Sequence, residues 1–129
     1  MSEPEVIEMI NSHANAAMNS FTIYLTLTFA FLTTIYVVGA KLSATQSVVV
    51  TILYQAWAIS FGLVSVTHLR AFDSIAREYP EFMRSQLFTL PWSYFSLAII
   101  TFGLIVSLIY AISNRKEASL AVNAKIGDG

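Results

Sequence analysis

Three long stretches without charged residues or histidine constrain this chain more than any other feature: residues 21–40, 47–67 and 91–112. An α-helix rises about 1.5 Å per residue, so each stretch is long enough to cross a hydrocarbon core about 30 Å thick. Membrane-spanning β-strands need a closed barrel of segments with alternating polarity, a pattern that three unbroken apolar stretches do not fit. We therefore predict an all-α membrane protein with three transmembrane helices.

The composition also indicates a bilayer rather than water as the solvent. Charged residues make up 12% of the chain and hydrophobic residues 56%, whereas a soluble domain has about 25% charged residues. The first stretch is too long for a typical signal peptide and no Lys or Arg precedes it, although Val38-Gly39-Ala40 keeps a cleavage site open. The chain has no cysteine and only 7 Lys and Arg, which excludes thiolate metal sites and does not favour nucleic-acid binding.

The segments outside the three stretches have distinct characters. Within residues 1–20, apolar residues recur at helical spacing. Ser2 and Glu5 form a capping-box pattern, and Pro4 lies in a first-turn position. We expect an amphipathic helix that starts near residue 3 and either continues straight into the first span or bends near Asn19 and Ser20. Residues 113–129 form a polar C-terminal tail.

Residues 68–90 carry charges of alternating sign at helical spacing, beside an apolar stripe. On a helix the charges lie on one face as potential ion pairs: Arg70, Asp73, Arg77, Glu81 and Arg84. Pro80 removes a backbone donor and disfavours helical geometry at Tyr79, which predicts a helix end and a bend there. We interpret this segment as an amphipathic helical loop at the membrane surface. The alternative is a protein-docking face made of Phe72, Tyr79, Arg70 and Arg77.

Small and weakly polar residues line one face of each predicted span. Lipid supplies no hydrophobic force between helices, so such faces, which allow close approach and shared hydrogen bonds, are typical of helix association. The residues that we assign to this role are Gln55, Thr51, Ala58, Gly62, Ser65, Gly103 and Ser107. Gln55 needs a hydrogen-bond partner in hydrocarbon, and the candidates are Thr26, Thr33 or Tyr24 of the first helix, a serine of the third helix, or Gln55 of a neighbouring copy.

The two histidines raise the alternative of a haem site. A pair of histidines on transmembrane helices is able to ligate haem b, and antiparallel packing places His13 and His68 at the same side of the membrane. Their depths, however, are expected to differ by about 12 Å, because His13 lies eight residues before the first span. Haem ligation by this pair is therefore a minor alternative, and we predict no metal, cofactor or catalytic residue.

Three spans place the termini on opposite sides of the membrane. Arg115 and Lys116 directly follow the third span, so the positive-inside rule favours an N-terminus outside and a C-terminus in the cytoplasm, in the cell (inner) membrane. The spans contain no ionisable group of the kind that pumps and ion-coupled transporters use. We predict a non-catalytic accessory or scaffold subunit of a membrane assembly, with other membrane subunits or further copies as partners. The alternatives are a homo-oligomeric, holin-like pore and a haem-binding anchor of a respiratory complex.

Overall fold

The computed structural model describes residues 3–80 and 91–127, which form three long α-helices. These are α1 (Glu3–Val38), α2 (Ala44–Glu78) and α3 (Trp92–Gly127), with a short 3-10 helix, Gly39–Lys41, after α1. All three are long and apolar enough to cross a membrane. The prediction of an all-helical chain with three such helices is therefore confirmed for the described residues.

The first helix is continuous from the N-terminal segment through the first apolar stretch. It has 36 residues, a length of about 54 Å, which exceeds the thickness of a hydrocarbon core. Of the two forms predicted for residues 1–20, the helix that continues without interruption is the one observed. The predicted capping serine, Ser2, lies outside the described residues.

The second helix has well-defined ends. Ser43 caps its N-terminus: the Ser43 hydroxyl accepts a hydrogen bond from the Gln46 N–H, and the Gln46 side chain accepts one from the Ser43 N–H, a capping box. The helix ends at Glu78, one residue ahead of the position that Pro80 restricts. Residues 68–78 are thus the final three turns of α2 rather than a separate element, and 81–90 lie outside the described residues.

The helices pack so that α2 is antiparallel to both others and contacts α1 most extensively. The core between them holds a stacked pair of aromatic rings, Phe31 on α1 and Tyr54 on α2, with centroids 4.1 Å apart. Around this pair lie the other buried apolar residues: Tyr24, Ile35, Ala58, Val66, Ile100 and Ala111. The core is narrow, as expected of three helices without a further layer.

Large apolar side chains cover the outside of the bundle. Phe102 is 69% exposed and Phe29 67% exposed, and similar side chains are exposed along each helix: Leu25, Ile52, Leu53, Trp57, Leu63, Phe95, Ile105 and Ile109. An apolar surface of this extent is unfavourable in water but suits contact with lipid tails. The fold therefore agrees with the membrane environment that the sequence indicates.

Candidate functional site

Most of the small residues predicted to associate helices pack between the three helices of this chain. Ala58, Ser65 and Ser107 have no exposed surface, and Gly62 is also buried. A methyl group on Gly62 would lie 2.8 Å from Ile100, and one on Gly103 would overlap the Tyr24 hydroxyl. These residues therefore allow α3 to approach α1 and α2 closely.

Hydrogen bonds between side chains connect all three helices in the core. The Tyr54 hydroxyl lies 3.0 Å from Thr28 Oγ1 on α1 and 3.0 Å from Ser107 Oγ on α3. Two further bonds reach backbone carbonyls, from the Tyr24 hydroxyl to Ile100 O and from the Ser65 hydroxyl to Ala17 O. Sequence reasoning identified the serines but missed Tyr54 as the link, because its partners belong to helices that are distant in sequence.

Gln55 has a weak hydrogen bond within the bundle. Its Nε2 donates to the backbone O of Leu104 on α3 at 3.5 Å, the outer limit of hydrogen-bond distance. Two of the three candidate partners on α1 are engaged otherwise, since Thr26 donates to Thr22 O and Tyr24 to Ile100 O. The third, Thr33, is exposed and does not bond to Gln55. Within the described chain, the Gln55 side-chain oxygen has no hydrogen-bond partner, and the residue is only half-buried.

A groove between α2 and α3 lies beside Gln55. It has a volume of about 190 Å³ and includes Thr51 and Ile52, one turn from Gln55, and Leu108, one turn from Leu104. The Thr51 hydroxyl donates to Ser47 O of its own helix and is thus satisfied locally. The groove is almost wholly apolar, with Arg115 at one end. It has the chemistry of a surface that accepts another apolar segment.

Asp73 has a role that its sequence context did not predict. It was expected to belong to a solvated stripe of charges, but it is only 5% exposed. Its carboxylate accepts hydrogen bonds from the N–H of Trp92 and Ser93 at 3.1 and 3.0 Å, and from the Ser93 hydroxyl at 2.6 Å. The first N–H groups of a helix have no intrahelical partner, and Pro91 offers no side-chain acceptor. Asp73 therefore caps α3 from α2, and its assignment to the charge stripe is wrong.

The predicted docking face lies at the same end of the bundle. Arg70 and Arg77 are exposed, and Phe72 and Tyr79 are half-buried. Glu81 and Arg84, which complete the predicted charge stripe, lie outside the described residues. The alternating ladder is interrupted at Asp73, and docking by this face remains a prediction.

The opposite end of the bundle has a second interhelical cap. The Asn114 side chain on α3 donates to the backbone O of Ile35 at 2.7 Å, and Ile35 O is one of the last four carbonyls of α1, which helices leave without intrahelical partners. Sequence reasoning assigned no role to Asn114, because its only signal was a polar residue directly after the third span.

The two histidines are in direct contact, contrary to expectation. His13 Nδ1 and His68 Nδ1 lie 3.2 Å apart, and both residues are half-buried. The predicted difference in depth is wrong because it took residue 67 as the end of the second membrane helix, whereas α2 continues to Glu78 beside the N-terminal turns of α1. The imidazole rings face each other too closely to hold a porphyrin plane between them, so this geometry does not favour the haem alternative.

No group of three or more His, Cys, Asp or Glu arranged to hold a metal ion occurs among residues 3–80 and 91–127. Among the described residues, Asp73 and Asn114 cap helix ends and Tyr24, Tyr54 and Ser65 form hydrogen bonds between helices, whereas the buried Ser96 hydroxyl has no hydrogen-bond partner. Comparison with protein families, with curated proteins and with solved structures found no match for this chain.

Proposed function

We propose that this chain is a three-span integral membrane protein that acts as a non-catalytic accessory or scaffold subunit of a membrane assembly. In this proposal the N-terminus lies outside and the C-terminus in the cytoplasm of the cell membrane. Residues 3–20 and 68–80 lie at or beyond the outer interface, and the polar end of α3 follows the third span on the inner side. Arg115 and Lys116, directly after the apolar part of α3, support this orientation.

The incomplete hydrogen bonding of Gln55 is the observation that supports the proposal most directly. It lies within residues 47–67 and is half-buried, with a single hydrogen bond of 3.5 Å. A carboxamide in hydrocarbon is unfavourable unless its donors and acceptor are bonded. The other polar side chains near mid-bundle, Thr28, Tyr54 and Ser107, satisfy one another. In this proposal, a helix of another subunit packed along the α2–α3 groove, one turn from Gln55, supplies a hydrogen-bond partner for its carboxamide.

A role in association is also supported by the chemistry of the spans. They contain no Asp, Glu, Lys, Arg or His, whereas proton relays and ion-coupled transport depend on such groups at depth. The hydroxyl groups at their centre form structural hydrogen bonds between helices. Binding to neighbouring apolar helices needs none of these ionisable groups, since packing and a few polar contacts drive it.

The composition of the native complex tests the proposal directly. The protein is purified in mild detergent from its own membrane, and its mass, visible spectrum and co-purifying subunits are measured. Foreign subunits in fixed stoichiometry support the accessory role. A pure homo-oligomer would favour the pore alternative, a Soret band the haem anchor, and a colourless monomer would contradict all three.

Substitution of Gln55 tests the residue that carries the proposal. We expect Gln55→Leu to weaken partner retention about fivefold, since an interhelical hydrogen bond of this kind contributes about 1 kcal/mol. Thermal stability of the isolated chain should change little, because the bond to Leu104 O is weak. The matched control is Ser60→Ala, an exposed residue of the same helix whose hydroxyl donates to Ala56 O. Equal retention in the two variants would exclude Gln55 as the contact.

A further inference from the structure

The contact between His13 and His68 brings two metal-binding side chains from different helices together. Their Nδ1 atoms are 3.2 Å apart and their ring centroids 5.4 Å apart. The ring planes are inclined at 42°, so the rings meet through their nitrogen atoms rather than by stacking. Two nitrogens at this distance share either a proton or a metal ion, because each neutral imidazole has one lone pair in the ring plane.

The distance between the two Nδ1 atoms is close to the distance between two histidine nitrogens that bind the same Zn²⁺ ion. Zn²⁺ binds histidine nitrogen at about 2.0–2.1 Å with tetrahedral geometry, which places two bound nitrogens about 3.4 Å apart. The observed 3.2 Å differs from this value by an amount that small side-chain rotations supply. We propose that His13 and His68 form a binding site for a late first-row divalent metal ion such as Zn²⁺, joining α1 to α2.

The remaining ligands indicate the class and strength of the site. The described residues offer no third His, Cys, Asp or Glu to this pair, so water completes the coordination. Met9, one turn before His13 on the same side of α1, carries a thioether, which is a poor ligand for Zn²⁺. The site therefore prefers ions that bind imidazole, such as Cu²⁺, Ni²⁺ and Zn²⁺, with the highest affinity for Cu²⁺. Mg²⁺ and Ca²⁺, which prefer oxygen ligands, bind poorly.

A metal ion bound by this pair would link α1 to α2 and thereby stabilise the folded chain. Five residues along α2 from His68, Asp73 caps the start of α3, so a metal ion here stabilises the end of the bundle where all three helices meet. An ion that binds only the folded chain raises its stability in proportion to the logarithm of its concentration. Stability of the isolated chain is therefore a readout that does not depend on any partner subunit.

Zn²⁺ titration of the full chain tests the site. The protein is purified with a tag that contains no histidine, treated with EDTA, and its Tm in detergent is followed during addition of Zn²⁺. We expect 100 μM Zn²⁺ to raise the Tm by about 3 °C or more, Ni²⁺ to act similarly, and EDTA to reverse the shift. Mg²⁺ at the same concentration should have no effect. A Tm that does not respond to Zn²⁺ in the wild-type chain would overturn the proposal.

Substitutions identify the residues responsible for the Zn²⁺-dependent rise in Tm. His13→Gln and His68→Gln should each abolish the Zn²⁺-dependent shift, whereas Met9→Leu, one turn away on α1, should retain it. Calorimetric titration gives the stoichiometry independently of thermal unfolding, and we expect one Zn²⁺ per chain in the wild type and none in either histidine variant. A shift of undiminished size in the His13→Gln/His68→Gln double variant would assign the binding to other residues and refute the site.

Discussion

At the scale of single residues, two positions contribute differently to the packing of α3: Asp73 caps it from α2, and Gly103 lets it approach α1. Asp73 accepts three hydrogen bonds while nearly excluded from solvent. We expect Asp73→Ala to lower the free energy of unfolding by about 2–4 kcal/mol, because buried donors lose a charged acceptor. Thermal denaturation in detergent measures this loss, with the exposed Glu78→Ala as control. Equal stability of the two variants would show that the cap is unimportant.

Gly103 allows the Tyr24 hydroxyl to occupy space that a methyl group would fill. Gly103→Ala should therefore destabilise the bundle by about 1–3 kcal/mol through overpacking. Removal of the hydroxyl, in Tyr24→Phe/Gly103→Ala, should restore part of that loss, even though it also removes the bond to Ile100 O. Both variants are compared by thermal denaturation. A double variant that is less stable than Gly103→Ala alone would contradict the proposed overlap.

At the scale of helices, the hydroxyl chain from Thr28 through Tyr54 to Ser107 connects α1, α2 and α3. Interhelical hydrogen bonds in membrane proteins contribute about 0.6 kcal/mol on average in double-mutant cycles. We expect Tyr54→Phe to cost about 1 kcal/mol and Ser107→Ala somewhat less, with a coupling of about 0.5 kcal/mol between them. Strictly additive losses in a cycle measured by denaturation in mixed micelles would mean that the hydroxyls do not interact.

At the scale of the whole molecule, the proposed three-span topology predicts that the two ends of the chain lie on opposite sides of a bilayer. The chain has no cysteine, so single cysteines serve as unique labels at the exposed residues Ser12 and Ser119. With the N-terminus outside, a membrane-impermeant maleimide should label Ser12→Cys in intact cells and Ser119→Cys only after lysis. The reverse pattern would invert the orientation, and labelling of both in intact cells would contradict three spans.

Several tertiary features were beyond prediction because they depend on helix register. The predicted spans, residues 21–40 and 47–67, were defined by hydropathy alone. The helices are longer: α1 begins before residue 21 and α2 continues past residue 67, both at the same end of the bundle. That extension brings His13 level with His68. Likewise, the sequence spacing grouped Asp73 with arginines of its own helix, but its partners lie about twenty residues further along the chain. Neither contact has a local signal.

Hydropathy and backbone hydrogen bonding are properties of each segment taken alone, so the order of residues was sufficient to predict a helical chain suited to a membrane. The helix end before Pro80 and the small faces of the spans are also local properties. Contacts between side chains of different helices emerge only in the folded chain: the caps formed by Asp73 and Asn114, the hydrogen bonds of Tyr54, the weak bond of Gln55 and the histidine pair. These contacts join residues far apart in sequence, and the fit of whole helix surfaces sets their register.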